Sequence, residues 1–369
     1  MASLVIVAVA QPQCYSRIRN SGVVSTGAIP VPEDGKCYHV LGTLFSSTRM
    51  DDAIGTRADL ETFLPMVGKQ QCFAVESMAT GDIDQTTFPA LFMPGNSWYE
   101  RSSYKPILDA GLVRAIIVGM NMFDREGIID TTTVLDRVAT GYYDSSWLAP
   151  RVAQCKAFKS NNGTLYPVLI RLSPEFNQNW YAELMGKGGR AGNPTSFIAA
   201  WRHVVRYFRD NNVTNVSWQW SVGWNDAYLE VGTFRDYYPG DDYVDWIGID
   251  AYWMGPADIM TNQISTVYNW IYLNSSGPQS KRPCSLSEWG YKNNVGGYSS
   301  DSSAAQYFTA SFDTFENYTR IKMIRLHWAS SDSAGNGFIF QNFDSTLRGY
   351  YPNAVAVYAN RIANPRYIP

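Results

Sequence analysis

The chain has 369 residues, a formal net charge of −3 and only 17% charged residues, so it carries no basic footprint for nucleic acid or an anionic membrane surface. A hydrophobic share of 45% excludes general disorder, and no segment approaches the roughly 18 consecutive apolar residues of a membrane span. Aromatic residues reach 14%, with 12 Trp and 24 Tyr, so part of that surplus is expected to line a surface that binds flat apolar faces such as sugar rings.

The opening Met1-Ala-Ser-Leu-Val-Ile-Val-Ala-Val-Ala10 is short and apolar, and Ala8-Val9-Ala10 before Gln11 resembles a signal-peptidase site. It lacks a basic start, so residues 1–37 read as an N-terminal segment packing on the domain or partly as a signal remnant. From residue 38 to 369 short apolar runs alternate with amphipathic stretches. The predicted strands are Val40–Ser46, Cys72–Met78, Arg114–Met122, Tyr166–Glu175, Val216–Trp224, Asp245–Trp253, Pro283–Tyr291 and Lys322–Ser330. Each is rich in apolar residues and bounded by Gly, Asn, Pro or Ser, as buried parallel strands are.

Helical periodicity fills the gaps. It is clearest over Ser196–Asn211, where Phe197, Ala200, Trp201, Val204, Val205 and Phe208 recur at three- and four-residue spacing. Ile259–Leu273, Ser303–Phe315 and Asn353–Ile362 read the same way, and a short helix is expected near Thr233–Tyr238. Eight such strands alternating with helices predict an α/β fold, a single (β/α)8 TIM barrel serving as one catalytic domain over 38–369. The rival is a doubly wound open sheet, but no G-x-G-x-x-G follows any strand.

Five cysteines (Cys14, Cys37, Cys72, Cys155, Cys284) form no CxxC pair, which argues against structural zinc and leaves one or two disulfides open. His39, His203 and His327 show no ligand spacing, so neither a metal nor another cofactor is expected. Sequons at Asn162, Asn212, Asn215, Asn274 and Asn317 all fall on the bottom connections of such a barrel, away from a cleft at its top. They suggest a secreted glycoprotein.

Active sites of barrels sit where strands end. The fourth strand ends in Ser-Pro-Glu175-Phe-Asn177, with Trp180 beyond, and the seventh in Ser-Glu288-Trp289-Gly290. Each puts a Glu beside aromatic rings. Glycoside hydrolysis needs such a pair, one carboxyl to protonate the leaving oxygen and one to attack carbon or activate water. A solvated or salt-bridged Glu is the bland alternative for either one alone.

Arg171-x-x-x-Glu175-x-Asn177-x-x-Trp180 resembles the acid/base motif of glycoside hydrolase family 26, known mainly for β-mannanases. Ala200-Trp-Arg-His-Val-Val205, Thr214-Asn-Val-Ser-Trp-Gln-Trp220, Tyr238-Pro-Gly-Asp-Asp-Tyr-Val-Asp-Trp246 and Gly248-Ile-Asp-Ala-Tyr252-Trp253 are similar to the same family, as is Ser287-Glu288-Trp-Gly290. The resemblance is best over residues 165–330. It implies Glu175 as acid/base, Glu288 as nucleophile, Tyr252 as hydrogen-bond donor to the nucleophile, and Trp180 and Trp328 as platforms beside the cleaved sugar. Arg171, Asn177, Asn121, Trp253 and Trp289 join them as expected substrate-binding residues. Two departures stand out: Pro174 occupies the place of the family's usual His before the acid/base, and Met120-Asn121 replaces a Trp-His pair on the third strand.

The expected function is a retaining endo-β-glycanase acting on a plant or algal polysaccharide, foremost β-1,4-mannan, as a secreted monomer. β-1,3-Xylan and mixed-linkage β-glucan are the alternative substrates. A carbohydrate-binding protein on a degenerate barrel and an inverting hydrolase are the competing functions.

Overall fold

The computed structural model describes residues 27–42, 60, 61, 63–81, 104–122, 131–178, 192–224, 229, 231–253, 259–273, 280–291, 300–327 and 351–369. Strands β1 (Cys37–Leu41), β2 (Ala74–Gly81), β3 (Ala115–Met120), β4 (Val168–Leu172), β5 (Val216–Gly223), β6 (Trp246–Trp253), β7 (Cys284–Tyr291) and β8 (Ile321–Leu326) pair in parallel in chain order. β1 pairs with both β8 and β2, which closes the barrel. The fold is the predicted TIM barrel. Its pairing with β2 starts at Val40, and the earlier residues of β1 are covered instead by β9 (Tyr367–Ile368).

Helices α1 (Lys105–Asp109), α2 (Thr131–Ala139), α3 (Ala149–Ala157), α4 (Pro194–Asp210), α5 (Met260–Tyr272), α6 (Asp301–Asn317) and α7 (Pro352–Ile362) form the outer layer. α4 shows why the sequence stops and starts where it does. The Asn193 side chain accepts the Ser196 N–H at 2.9 Å and Pro194 supplies a preset φ at the first turn. Its buried stripe of Phe197, Ala200, Trp201, Val204, Val205 and Phe208 is the periodic one read from sequence. Each large member contributes about 1.5–3 kcal/mol by burial. Between β5 and β6 the described residues hold only the 3-10 turns Phe234–Tyr237 and Asp241–Tyr243.

Strand alternation divides the core in two. Outward residues such as Ile170, Trp220, Ile249 and Leu286 join the large cluster under the helices. Inward residues near the strands' amino ends (Tyr38, Val40, Ile117, Leu169 and Met323) form a smaller apolar plug. Ile29 closes that plug from below, its N–H donating to Ser217 Oγ at 2.8 Å. Near the carboxyl ends the inward residues turn polar: Arg171, Ser221, Asp250, Ser287 and Arg325, all buried. The apolar plug below and the polar set above fix where chemistry can occur.

Cys37, Cys72, Cys155 and Cys284 are buried free thiols, so the one or two disulfides that the sequence leaves open are not formed among these four. Asn162, Asn212 and Asn317 are exposed on the amino-end connections, as the sequon reading requires. Asn215 differs. It is buried, and its amide donates to the carbonyls of Cys155 and Tyr166 at 2.9 and 3.0 Å, so this sequon is closed to modification in the folded chain. Asn274 lies outside the described residues.

Candidate active site

β4 ends at Leu172 rather than at the predicted Glu175, because Ser173 and Glu175 both adopt left-handed backbone (φ +45° and +51°) on either side of Pro174. Such a conformation costs a non-glycine residue about 1–2 kcal/mol. Tertiary bonds hold it: Ser173 Oγ accepts the Met122 N–H at 2.9 Å, and the Glu175 N–H donates to the Ser221 carbonyl at 3.2 Å. Asn177, wholly buried, donates to the Gly223 carbonyl at 2.9 Å and accepts the Gly223 N–H at 2.8 Å. It thus ties the turn carrying Glu175 to the tip of β5.

β7 presents Glu288 through an irregularity. Ile249 pairs with Leu286, but Asp250 pairs with Glu288, and on the other side Ile324 pairs with Leu286 while Leu326 pairs with Trp289. β7 therefore carries one extra residue relative to both neighbours. The bulge lets Ser287 and Glu288 both face the barrel interior, where strict alternation would send one outward. Gly248 makes room for this, since a Cβ there would lie 2.4 Å from Ser287 Oγ.

The interior groups form one network. Arg171 Nη1 donates to Glu288 Oε1 at 2.5 Å, and Nη2 donates to Asp250 Oδ2 at 2.8 Å. Ser287 and Ser221 hydroxyls also donate to Asp250. Tyr252 Oη donates to Glu288 Oε2. From β8, Arg325 Nη1 lies 3.3 Å from Glu288 Oε1 and His327 Nδ1 lies 3.7 Å from Oε2. One oxygen each of Glu175, Asp250 and Glu288 lies within 4.8 Å of the other two. Three carboxyls could hold a cation, but Arg171 and Arg325 already sit among them as counter-charges.

The electrostatics differ from group to group. Burial raises the Glu288 carboxyl, but the Arg171 guanidinium, His327 and the Tyr252 hydroxyl together outweigh it and hold the group below its usual range. Burial pushes Asp250 up to about 7, with the Glu288 charge adding and Arg171 opposing. Burial and the Glu288 and Glu175 charges push the Tyr252 phenol far up, so it stays a donor. Burial takes His327 down to about 4, against the pull of Glu288, and Arg325 down to about 9.

Of the residues singled out in sequence, Glu175, Glu288, Arg171 and Tyr252 converge here, with Asn177 beneath them. Asn121 is buried just past the tip of β3. Trp253 and Trp289 face the other way. Trp253 stacks on Tyr291 at 4.2 Å, and Trp289 is fully buried among Phe308, Phe312, Phe315 and Tyr358. Alternation next to Tyr252 and Glu288 turns both indoles toward the helix layer, not toward the cleft. Trp180 and Trp328 lie outside the described residues. Asp250, Ser287, Arg325 and His327 were not picked out from the sequence. Asp250 was legible as the inward residue two before Tyr252, whereas the other three needed the bulge and the cross-barrel distances.

A closed parallel barrel with a carboxyl cluster at its carboxyl mouth has the form of a glycoside hydrolase barrel. The sequence profile described as Glycosyl hydrolase family 26 matches residues 117–286, so this stretch of the chain is similar to that family. Among curated relatives, Endoglucanase H of Acetivibrio thermocellus is 38% identical over 97 residues, 26% of this chain and 11% of that protein. Mannan endo-1,4-beta-mannosidase of Bifidobacterium adolescentis is 27% identical over 206 residues, 48% of this chain and 20% of that protein. The chain thus spans a small part of the length of the curated relatives it matches. The fold is shared with the catalytic domain of the Bacillus sp. JAMB-750 GH26 endo-beta-1,4-mannanase, at 17% identity, TM-score 0.62, 91% of this chain and 88% of that one.

Proposed function

We propose that the chain is a retaining endo-β-glycanase with Glu288 as nucleophile and Glu175 as acid/base, and that β-1,4-mannan is its main substrate. The observation that carries this reading is the separation of the two carboxyls. One oxygen of Glu175 lies within 4.8 Å of one of Glu288, an approach nearer to a retaining enzyme's carboxyl gap of about 5–5.5 Å than to the roughly 6.5–9.5 Å of an inverting enzyme. In this mechanism Glu288, kept ionised by Arg171 and Tyr252, attacks the anomeric carbon while Glu175 donates its proton to the departing oxygen. A covalent glycosyl ester on Glu288 results. Glu175, now a carboxylate, takes a proton from water, which attacks the same carbon and releases the sugar with its configuration kept.

Mannan is favoured by the mannanase relative, whose match covers 48% of the chain. A glucan is the second reading, because the relative with the higher identity is an endoglucanase. The domain is read as one catalytic barrel over 38–369, acting outside the cell as a monomer on a polymer too large to enter.

The test is reducing-sugar release from glucomannan, β-1,3-xylan and mixed-linkage glucan by wild type and Glu288→Ala. Cleavage of glucomannan, lost by about 10³-fold or more in the variant, is expected. Undiminished activity in the variant overturns the catalytic pair. Tight binding without release by wild type assigns a binding protein instead.

A further inference from the structure

The nucleophile is bracketed by groups from three strands, and the pair from β8 has no counterpart in the sequence motifs. Arg325 and His327 are two residues apart, so both face the interior. The Arg325 guanidinium donates to the Ser287 carbonyl at 2.6 Å, gripping the bulge itself, and lies 3.3 Å from Glu288 Oε1. The His327 backbone N–H donates to the Trp289 carbonyl at 2.7 Å, on the far side of Glu288 along β7. Its ring meets the Tyr252 ring edge-on, with centroids 5.4 Å apart and planes at 85°. Nδ1 stands 3.7 Å from Glu288 Oε2, the oxygen that Tyr252 holds.

The two carboxylate oxygens therefore meet different surroundings. Oε1 faces two guanidinium groups, Arg171 and Arg325. Oε2 faces a phenol and an imidazole. We propose that His327 is a positioning residue that fixes Tyr252 and Glu288 Oε2 together and so sets the orientation and basicity of the nucleophile. This rests on the assignment of Glu288 above.

The charges around the ring explain why neutrality matters. The groups facing His327 are Arg325 on its own strand, Arg171 from β4, Tyr252 from β6 and Glu288 from β7, with Asp250 and Glu175 bordering the same cluster. Two guanidinium groups already offset the Glu288 and Asp250 carboxyls. A third cation against Oε2 would draw electron density from the attacking carboxylate and slow the first displacement. Burial and the two arginines keep the imidazole uncharged well below neutral pH. Protonating it in acid places that third cation.

The experiment uses the full chain as wild type, His327→Gln and His327→Ala. Substrates are 2,4-dinitrophenyl β-mannobioside, β-cellobioside and β-xylobioside, whose leaving group needs no proton from Glu175. Dinitrophenolate release in the first turnover then reads the nucleophilic step alone. We expect the Ala variant to lose about 10–100-fold in that rate with KM changed less than about threefold, and the Gln variant to recover most of it. An Ala variant within about twofold of wild type, or a Gln variant no better than Ala, overturns the proposal.

A readout without turnover separates this proposal from the catalytic assignment. The chain has only three histidines, so 15N-histidine spectra of wild type and His327→Gln identify the His327 resonances by subtraction. A His327 that stays neutral from about pH 7 down to about pH 5 supports the proposal even if no glycoside is cleaved; one that titrates near the ordinary histidine value of about 6.5 overturns it.

Discussion

Arg171→Met offers a stringent test of the network. Arg171 is 1% exposed and bonds two carboxylates at once, Glu288 at 2.5 Å and Asp250 at 2.8 Å. Removing one partner of a buried ion pair costs about 3–5 kcal/mol, because the remaining charge is left in a poorly solvating interior. Here two charges are left, although Arg325 remains beside Glu288, so a loss of about 4 kcal/mol at pH 8 is expected. The pH dependence carries the sharper signature. Asp250 already has a raised carboxyl, about 7 against an ordinary value of 3.8, so its burial weakens the fold as pH rises through that window and the weakness disappears in acid. Loss of Arg171 raises Asp250 further and lifts Glu288 out of its depressed range. The penalty should therefore shrink on going from pH 8 to pH 5, by about 1.4 kcal/mol for each further unit by which these carboxyls rise. Urea unfolding midpoints with their slopes, taken at both pH values, measure it. A penalty below about 1 kcal/mol, or one equal at the two pH values, would refute the reasoning that Arg171 neutralises buried carboxylates.

Tyr252→Phe removes a donor from Glu288 Oε2; kcat should fall about 10–100-fold, the worth of a hydrogen bond to a charged group, with KM changed little in steady-state kinetics. Because Glu288 must be ionised to attack and sits below its usual 4.5, the acid limb of kcat/KM is expected below that value, and a limb above about pH 5 contradicts the assignment. Asn177→Ala strands the Gly223 N–H and carbonyl and should cost about 2–4 kcal/mol in urea unfolding, with activity falling as the Glu175 turn loosens. The buried thiols Cys37, Cys72 and Cys155, each pushed up to about 12, should stay silent to a thiol reagent in the native protein, and Cys284 with them; all four react in guanidinium.

Strand and helix periodicity sufficed to read the barrel because its wall is built from long apolar runs with clear breaks. β5, β6 and β7 fall within a residue of their expected spans. β4 was overextended because Leu172-Ser173-Pro174-Glu175 looks extended in sequence, whereas the left-handed Ser173 and Glu175 are held by bonds to Met122 and Ser221 far along the chain. The two Glu residues were visible as strand-tip carboxyls beside aromatic rings. Trp253 and Trp289 show the limit of that signal, since neighbours in sequence on a strand point to opposite faces. Arg325 and His327 were invisible as site residues for a related reason: their partners are 37 and 39 residues earlier on another strand.

The extra residue in β7 makes the barrel wall behave like a reading frame. Substitutions at Ser287 or Glu288 change one side chain and leave every other residue on its face. Deleting a single residue between Leu286 and Trp289 would restore strict alternation on that strand, and the inward site would then hold either Ser287 without the carboxyl or Glu288 without the hydroxyl that bonds Asp250. Length along this stretch of wall is thus fixed by the need to turn two neighbouring side chains inward, as firmly as the identity of Glu288 is fixed by its chemistry.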